Sequence, residues 1–422
     1  MLKKGLSAIK ERGNITYMIA VLIMVVMPMH YQYMPPLMII LFLGWIFENY
    51  NRFGEMIKIR ASYKLLLVLF LIFYFWQVAG LFYTTDMKLG WANILTRLSF
   101  ILFPLVFLYP GDKIKANIFK LLRVFAMSTA LYILFCFGYA LFRSLSIQNG
   151  IWLFNPHPPG FPWISYFYSM DLTYAIHPSY QAMFVLIAVF ISLESWYDYT
   201  LNFFFRIGWL IIAGLLLISL YFISSRAAIL AAIIMIPFYV LYKIIKLKKS
   251  RFILISTLII LILLFPLIRK NERVNILFDG FSKEQKFNLK NQDQRIIVWE
   301  SAIKVIRDNF AFGVGVGDVK AELVKEYDRT GEDTLRKERL NTHNQFLEIF
   351  VENGVIGFLV FISLFGCLIY IAISDKNLLY GLFILMIFVS FMFEAILCRL
   401  AGVAFFALFS FLLLHIPKTK IQ

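Results

Sequence analysis

Long apolar runs broken by short polar, mostly basic, intervals recur along the chain. The runs begin near Ile15, Met34, Leu65, Gly90, Ile118, Ser179, Ile207, Ala227, Phe252, Gln345, Leu378 and Leu400. A run of about 18 or more apolar residues is long enough, as a helix, to cross about 30 Å of hydrocarbon. The pattern therefore predicts an all-α polytopic membrane protein with about twelve transmembrane helices. Lys3, Lys4, Lys10 and Arg12 precede the first run, which lacks a small-residue cleavage site and is followed by further spans, so it is expected to be an anchor. No repeat, low-complexity tract or soluble domain interrupts the series, and residues 1–422 are read as a single integral membrane domain.

Two stretches depart from the series. Residues 143–178 contain Ile-Trp-Leu-Phe-Asn-Pro-His-Pro-Pro-Gly-Phe-Pro-Trp, where the prolines exclude a regular helix and the aromatics suit an interfacial belt or a sugar-stacking platform. Residues 270–344 form a large polar loop between the ninth and tenth spans, expected to carry short helices.

Composition sharpens this outline. With 61% hydrophobic, 18% aromatic and 16% charged residues, the chain cannot be a soluble domain. A net charge of +16 raises the question of nucleic acid, but the basic residues lie in short clusters between spans. They read as topology signals, with membrane lipid as the partner and no nucleic acid. Placing Arg60, Lys64, Lys113, Lys115, Arg206, Lys243 and Lys248 in the cytoplasm puts residues 83–89, 143–178, 224–226, 269–344 and 394–399 outside. Cys136, Cys367 and Cys398 sit in or beside apolar spans and suggest packing, not a disulfide framework or a thiolate metal site.

Ionisable residues at the outer ends of spans carry the candidate chemistry. Arg226 separates two apolar runs. A guanidinium held there suits a phosphate group, and an interfacial snorkelling arginine fits the same placement. Arg295 falls in the first turn of an amphipathic helix expected to carry Ile296, Trp299, Ile303 and Ile306 on one face, with Asp293 as cap. The macrodipole disfavours a cation at that end unless an anion compensates, which requires an anionic ligand or a neighbouring carboxylate. Gly313, Gly315 and Gly317 lack the context of a nucleotide loop and are expected to turn tightly into a segment capped by Asp318.

Thr342-His343-Asn344-Gln345 matches a capping box at the mouth of the tenth span, with Thr342 as cap. His343 would then lie in the first helical turn, where the dipole disfavours imidazolium and leaves a ring able to accept a proton. A hydrogen-bonded surface histidine is the alternative. Glu348 and Glu352 follow one and two turns beyond Asn344, and Arg97 lies about two turns into the fourth span, costly unless it neutralises something. His343, Arg226 and Arg295 are the catalytic candidates, and Arg97, His177, Asn344 and Glu348 the substrate-binding ones. No His-x-x-x-His pattern, metal-spaced carboxylate pair or Gly-x-Ser-x-Gly elbow is present, so no metal or other cofactor is expected.

Ser224-Ser225-Arg226-Ala227-Ala228, Arg295-x-x-x-Trp299-x-x-Ala302, Gly313-x-Gly315-x-Gly317 and Thr342-His343-Asn344-x-x-Leu347 with Glu352-Asn353-Gly354-x-x-Gly357 together resemble the O-antigen ligase/polymerase family. The Phe393-Glu394 turn and Ala401-Gly402-Val403-Ala404-Phe405-Phe406 fit the same resemblance. It implies a GT-C-type fold and transfer of a glycan from an undecaprenyl-diphosphate-linked donor to an acceptor hydroxyl on the periplasmic side of the bacterial inner membrane. By matching position, Arg226 and Arg295 would hold the diphosphate and His343 would activate the acceptor. A ligase acting on a lipid A core sugar is the favoured branch. A repeat-unit polymerase or a protein O-oligosaccharyltransferase of the same family, acting on another acceptor, is the alternative.

From other classes, a polysaccharide flippase would call for broken mid-span helices and pseudo-symmetric halves. A purely structural scaffold would not need four ionisable side chains at one leaflet.

Overall fold

The computed structural model describes residues 14–50, 59–162, 164–247 and 294–416. The expected span near Phe252, the cluster at Lys248, Lys249 and Arg251, the cap Asp293 and residues 270–293 of the large loop lie outside these residues. In chain order the helices are α1 (Asn14–Val26), α2 (Met34–Asn49), α3 (Ala61–Ala79), α4 (Met87–Thr96), α5 (Ser99–Leu108), α6 (Asp112–Ala116), α7 (Ile118–Ser144), α8 (Pro178–Trp196), α9 (Phe203–Ile223) and α10 (Arg226–Leu247). The large loop contributes α11 (Gln294–Asp308), α12 (Val319–Thr330) and α13 (Asp333–Glu338), and α14 (Gln345–Asp375), α15 (Leu378–Phe393) and α16 (Leu400–Leu412) complete the series. Every other expected span start falls inside a helix. Among the described residues seven helical stretches are long and apolar enough to cross a membrane, and three apolar helices are shorter. The chain is an all-α multi-pass membrane protein.

The helices fall into two compact units, one of Met1–Ala20, Gln32–Ile118 and Gln285–Gln422, the other of Val21–Tyr31 and Phe119–Glu284. In the first unit a phenylalanine core ties the spans together. Phe70 of α3 meets Phe100 of α5 and Phe406 of α16 at 5.6 Å each, while Phe361 of α14 meets Phe391 of α15 at 5.9 Å. In lipid, apolar contact gives helices no hydrophobic reason to associate, so interlocking rings contribute through dispersion and ring geometry.

Two breaks in these spans position the large polar loop. The fourth span is interrupted at Arg97, which ends α4 before α5 begins. The tenth span, α14, is interrupted at Gly354, whose φ of 62° and ψ of −168° belong to a region essentially reserved for glycine. The loop fills this second break. Val314 N–H donates to the Val351 carbonyl at 2.9 Å, Gly315 N–H to Glu352 at 3.0 Å, and Val355 N–H to Phe310 at 2.8 Å. Backbone comes so close that a Cβ on Gly313 would lie 2.5 Å from the Gly354 nitrogen. Gly313 thus lies against the broken helix, while Gly315 and Gly317 lie against Thr84 and Asp86 ahead of α4, so the three glycines seat the loop between two segments, which is more than the tight turn expected.

Asp318 precedes α12 without capping it. Its carboxylate instead accepts from Thr85 N–H at 2.6 Å and Asp86 N–H at 2.9 Å, tying the loop to the start of α4.

The loop helices carry their own small core. Val298, Ala302, Val305 and Ile306 of α11 pack with Val319, Leu323 and Tyr327 of α12, Leu335 of α13 and Val351 of α14. The expected apolar face is corrected here, since Ile296 and Ile303 are both 42% exposed. Two neighbouring apolar stripes run along α11, and periodicity alone does not say which one meets the core.

In the second unit α8 packs on α9 and α10, and α8 is buried on nearly all sides. After α7 the chain forms an antiparallel hairpin, β1 (Leu145–Gln148) and β2 (Ile151–Phe154). Asn149 and Gly150 make the turn with φ of 51° and 78°. An Asn-Gly pair supplies the positive angles that a two-residue hairpin requires, a signal beyond the exclusion of a regular helix by the prolines of residues 143–178.

Gly313→Ala should lower the melting temperature in detergent strongly, because a residue held at φ of 74° is strained by about 1–3 kcal/mol before any overlap is counted. Gly366→Ala, with nothing within 4 Å of its added Cβ, should be neutral or mildly stabilising. Equal melting temperatures for the two variants would contradict the docking arrangement.

Candidate functional site

Three segments of the first unit meet around His343. The first is α11, with Arg295 in its opening turn and Trp299 four residues on, which places both side chains on one helical face. Trp299 Nε1 donates to the Thr342 carbonyl at 2.9 Å. The second segment is the turn ahead of α14, and the third is the turn between α15 and α16, which carries Glu394.

The turn ahead of α14 differs from the expected capping box. Asn344, not Thr342, is the cap, and its Oδ1 accepts from Phe346 N–H at 2.9 Å and Leu347 N–H at 3.2 Å. Thr342 directs its hydroxyl to Glu348 Oε2 at 2.7 Å, and Glu348 also accepts the Thr342 amide at 3.2 Å. Gln345 uses its side-chain oxygen to receive Leu397 N–H, which fixes the Glu394 turn against the start of α14.

His343 therefore lies before the helix and not in its first turn, in left-handed backbone at φ 46°. Such backbone is uncommon for a residue with a Cβ and persists where its neighbours fix it. Here the Thr342 carbonyl, amide and hydroxyl, the Asn344 side chain and the His343 amide, which donates to Asn341 at 3.2 Å, are all bonded. Tyr327 donates to the Leu340 carbonyl at 3.3 Å just upstream, and burial raises the pKa of its phenol, so the donor proton stays in place.

The helix dipole does not govern the ring; a carboxylate does. His343 Nδ1 lies 3.0 Å from Glu394 Oε2, and Glu394 Oε1 lies 3.5 Å from an Arg295 guanidinium nitrogen. A carboxylate accepts, so this contact requires the proton on Nδ1 and leaves Nε2 as the acceptor of the neutral ring. The three side chains are 27%, 20% and 21% exposed for His343, Glu394 and Arg295, open enough to be reached yet held in place. Glu394 is also the anion that compensates Arg295 at the positive end of α11. In the sequence Glu394 stands out only as part of a turn, although a carboxylate closing an apolar span is itself a signal.

The substrate-binding candidates of this unit are buried in the framework and do not line the open site. Glu348 is 4% exposed and also accepts from Cys398 Sγ at 3.3 Å, whose thiol is kept protonated by a pKa raised first by burial and then by the Glu348 charge. Asn344, 6% exposed, is occupied as the cap. Arg97, 3% exposed, grips Glu352 with both terminal nitrogens, one of them at 3.0 Å from Oε2, and reaches Gln77 at 3.2 Å. The charge it neutralises belongs to the protein. Their partners lie in distant segments that one-dimensional spacing does not bring together.

Arg226 and His177 belong to the second unit. Arg226 is the first residue of α10, directly after Ser224 and Ser225, where Ser224 ends α9 in left-handed backbone at φ 53° and pairs with the Tyr168 hydroxyl at 2.7 Å. Like Arg295 it is a cation in a first turn. His177 caps α8, its Nδ1 accepting from Ser179 N–H at 3.3 Å. Among the described residues no group of three or more His, Cys, Asp or Glu side chains is arranged to hold a metal ion.

Residues 211–362 match the model of the family described as O-Antigen ligase. The matched stretch begins within α9, ends within α14, and contains Arg226, Arg295, His343, Asn344 and Glu348, whereas Arg97, His177 and Glu394 fall outside it. Members of the family are glycosyltransferase-like ligases and polymerases. No match is found among curated proteins.

Arg97→Ala should destabilise the protein by about 3–5 kcal/mol, because it leaves the buried Glu352 without its partner. A paired Arg97→Met, Glu352→Leu replacement should recover much of that loss, as measured by thermal unfolding. A double variant no more stable than Arg97→Ala would contradict the unpaired carboxylate as the source of the loss.

Proposed function

We propose that the protein transfers a glycan from an undecaprenyl-diphosphate-linked donor to an acceptor hydroxyl, as an O-antigen ligase acting on a lipid A core sugar at the periplasmic face of the bacterial inner membrane. The observation that carries this reading is Glu394, which joins a histidine with a free acceptor nitrogen to an arginine suited to a diphosphate. The family match over residues 211–362, which holds Arg295 and His343 but not Glu394, supports it.

The chemistry follows from the geometry. His343 Nε2 takes the proton of the acceptor hydroxyl as its oxygen attacks the anomeric carbon of the donor sugar. The bond from that carbon to the diphosphate oxygen breaks, and the leaving group departs with the electron pair. Charge thus grows on the diphosphate, where the Arg295 guanidinium can meet it with two parallel hydrogen bonds. Arg226 is assigned the same role by its match to the family pattern and by its place at the head of a helix. Glu394 holds the imidazole in the productive tautomer and faces the positive charge that forms on it. The required charge stabilisation comes from arginines, and no step calls for a metal.

His343→Ala should slow single-turnover transfer by about 10²- to 10⁴-fold with donor affinity nearly unchanged, while Arg295→Lys should weaken both, since an ammonium cannot reproduce the planar fork. Transfer by the wild type should survive EDTA. A loss of turnover in His343→Ala that only tracks a loss of donor affinity would make His343 a binding residue and leave the base unassigned.

A further inference from the structure

Arg123 and Arg143 bracket a part of α7, residues 124–142, that holds no charged side chain. These 19 residues rise about 28 Å as a helix, close to the hydrocarbon thickness of a bilayer, so Arg143 stands where the hydrocarbon ends. Its guanidinium lies 4.8 Å over the Tyr139 ring and 4.4 Å over the Tyr166 ring, and it donates to the Asp171 carbonyl. The root of the β1–β2 hairpin, two residues on, is thereby held at headgroup level. Side chains alternate between the faces of a strand, and residues paired across an antiparallel ladder share a face. The register pairs Leu145 with Phe154 and Ile147 with Trp152, which puts all four on one face, and Ser146 with Leu153 on the other. The first face is wholly apolar. It is also open, with Ile147 61% and Trp152 67% exposed and Phe154 exposed beside the Phe167 ring at 6.3 Å.

We infer that this face is seated in the leaflet at which α7 ends, with the acyl chains just beneath the lipid headgroups as its partner. Continuity with the span supplies the neighbour. Leu141 and Phe142 are exposed apolar side chains of α7 itself, so lipid packed against them reaches Leu145 and Ile147 next. No Asp, Glu, Lys or Arg occurs between Arg143 and Asp171 to oppose that placement, and an indole ring favours this depth. An isolated two-stranded hairpin is marginal in water, and a lipid surface under one face gives the apolar support that a third strand or a packed helix would give. The open edges of the two strands set the limit of depth. Unpaired backbone groups are not tolerated in the hydrocarbon core, so the hairpin lies along the boundary and does not descend through it. Of the two roles open to the aromatics of residues 143–178, an interfacial belt and a sugar-stacking platform, this face takes the first.

The test uses the full-length protein in liposomes of phosphatidylethanolamine and phosphatidylglycerol. Nitroxide labels are attached to Ile147→Cys and Trp152→Cys on the apolar face and to Ser146→Cys on the other, with wild type treated in the same way as the blank for the native cysteines. Collisions with dissolved oxygen, which concentrates among acyl chains, are compared with collisions with a water-soluble nickel chelate. The oxygen-to-nickel ratio should be several-fold higher at 147 and 152 than at 146. A second measurement needs no label. The emission lost in Trp152→Phe relative to wild type belongs to Trp152, and it should be quenched by lipids brominated high on the acyl chain and little by aqueous iodide.

A low oxygen-to-nickel ratio at all three positions, or quenching of Trp152 by iodide without quenching by the brominated chains, puts the face in water and overturns the inference. Protection of 147 and 152 from oxygen and nickel alike means that protein covers the face, as in a contact with a second copy, and overturns it equally.

Discussion

The architecture of the first unit depends on a backbone that is broken inside an apolar span and repaired from outside it. Hydrocarbon offers no water to an unpaired amide or carbonyl, so a break such as that at Gly354 is tolerated only when protein supplies the missing partners. The segment from Phe310 to Gly315 supplies them through three backbone hydrogen bonds, and glycine at 313 permits the approach. This is why a polar loop can be anchored to the membrane helices without a long apolar interface. The bonded strip fixes α11 and α12 over the mouth of α14, and Arg295 and Trp299 are aligned with His343 as a result.

The second consequence is a separation of buried charge from usable charge. Arg97 and Glu352 neutralise each other beside the break, and Glu348 is occupied by Thr342 and Cys398. These groups hold the break and the His343 turn, while the partly exposed Arg295, Glu394 and His343 face outward from the ends of three segments. A guanidinium, a carboxylate and a ring whose second nitrogen can accept suit a reaction whose leaving group is an anion and whose nucleophile must lose a proton.

Much of the helical layout was legible in the sequence because apolar runs of membrane length leave little choice of structure. The starts at Leu65, Ile118, Ser179 and Gln345 all fall in helices. Arg295 was also legible, as a cation where a helix dipole disfavours one, and the structure supplies Glu394 as the carboxylate left open as an explanation. Contacts between distant segments were not legible. Nothing in spacing pairs Arg97 with Glu352, 255 residues away, or chooses Asn344 over Thr342 as the cap when Glu348 competes for the threonine hydroxyl. The hairpin at Asn149-Gly150 was legible and missed, because the neighbouring prolines dominated the reading of that loop.

The central claim is that Arg295, Glu394 and His343 act as one site on a lipid diphosphate. It is tested most directly by an experimental structure of the His343→Gln variant with an undecaprenyl-diphosphate-linked glycan bound. Phosphate oxygens within hydrogen-bond distance of Arg295 and residue 343 beside the anomeric carbon are the arrangement expected. A diphosphate bound away from Arg295 would contradict the account.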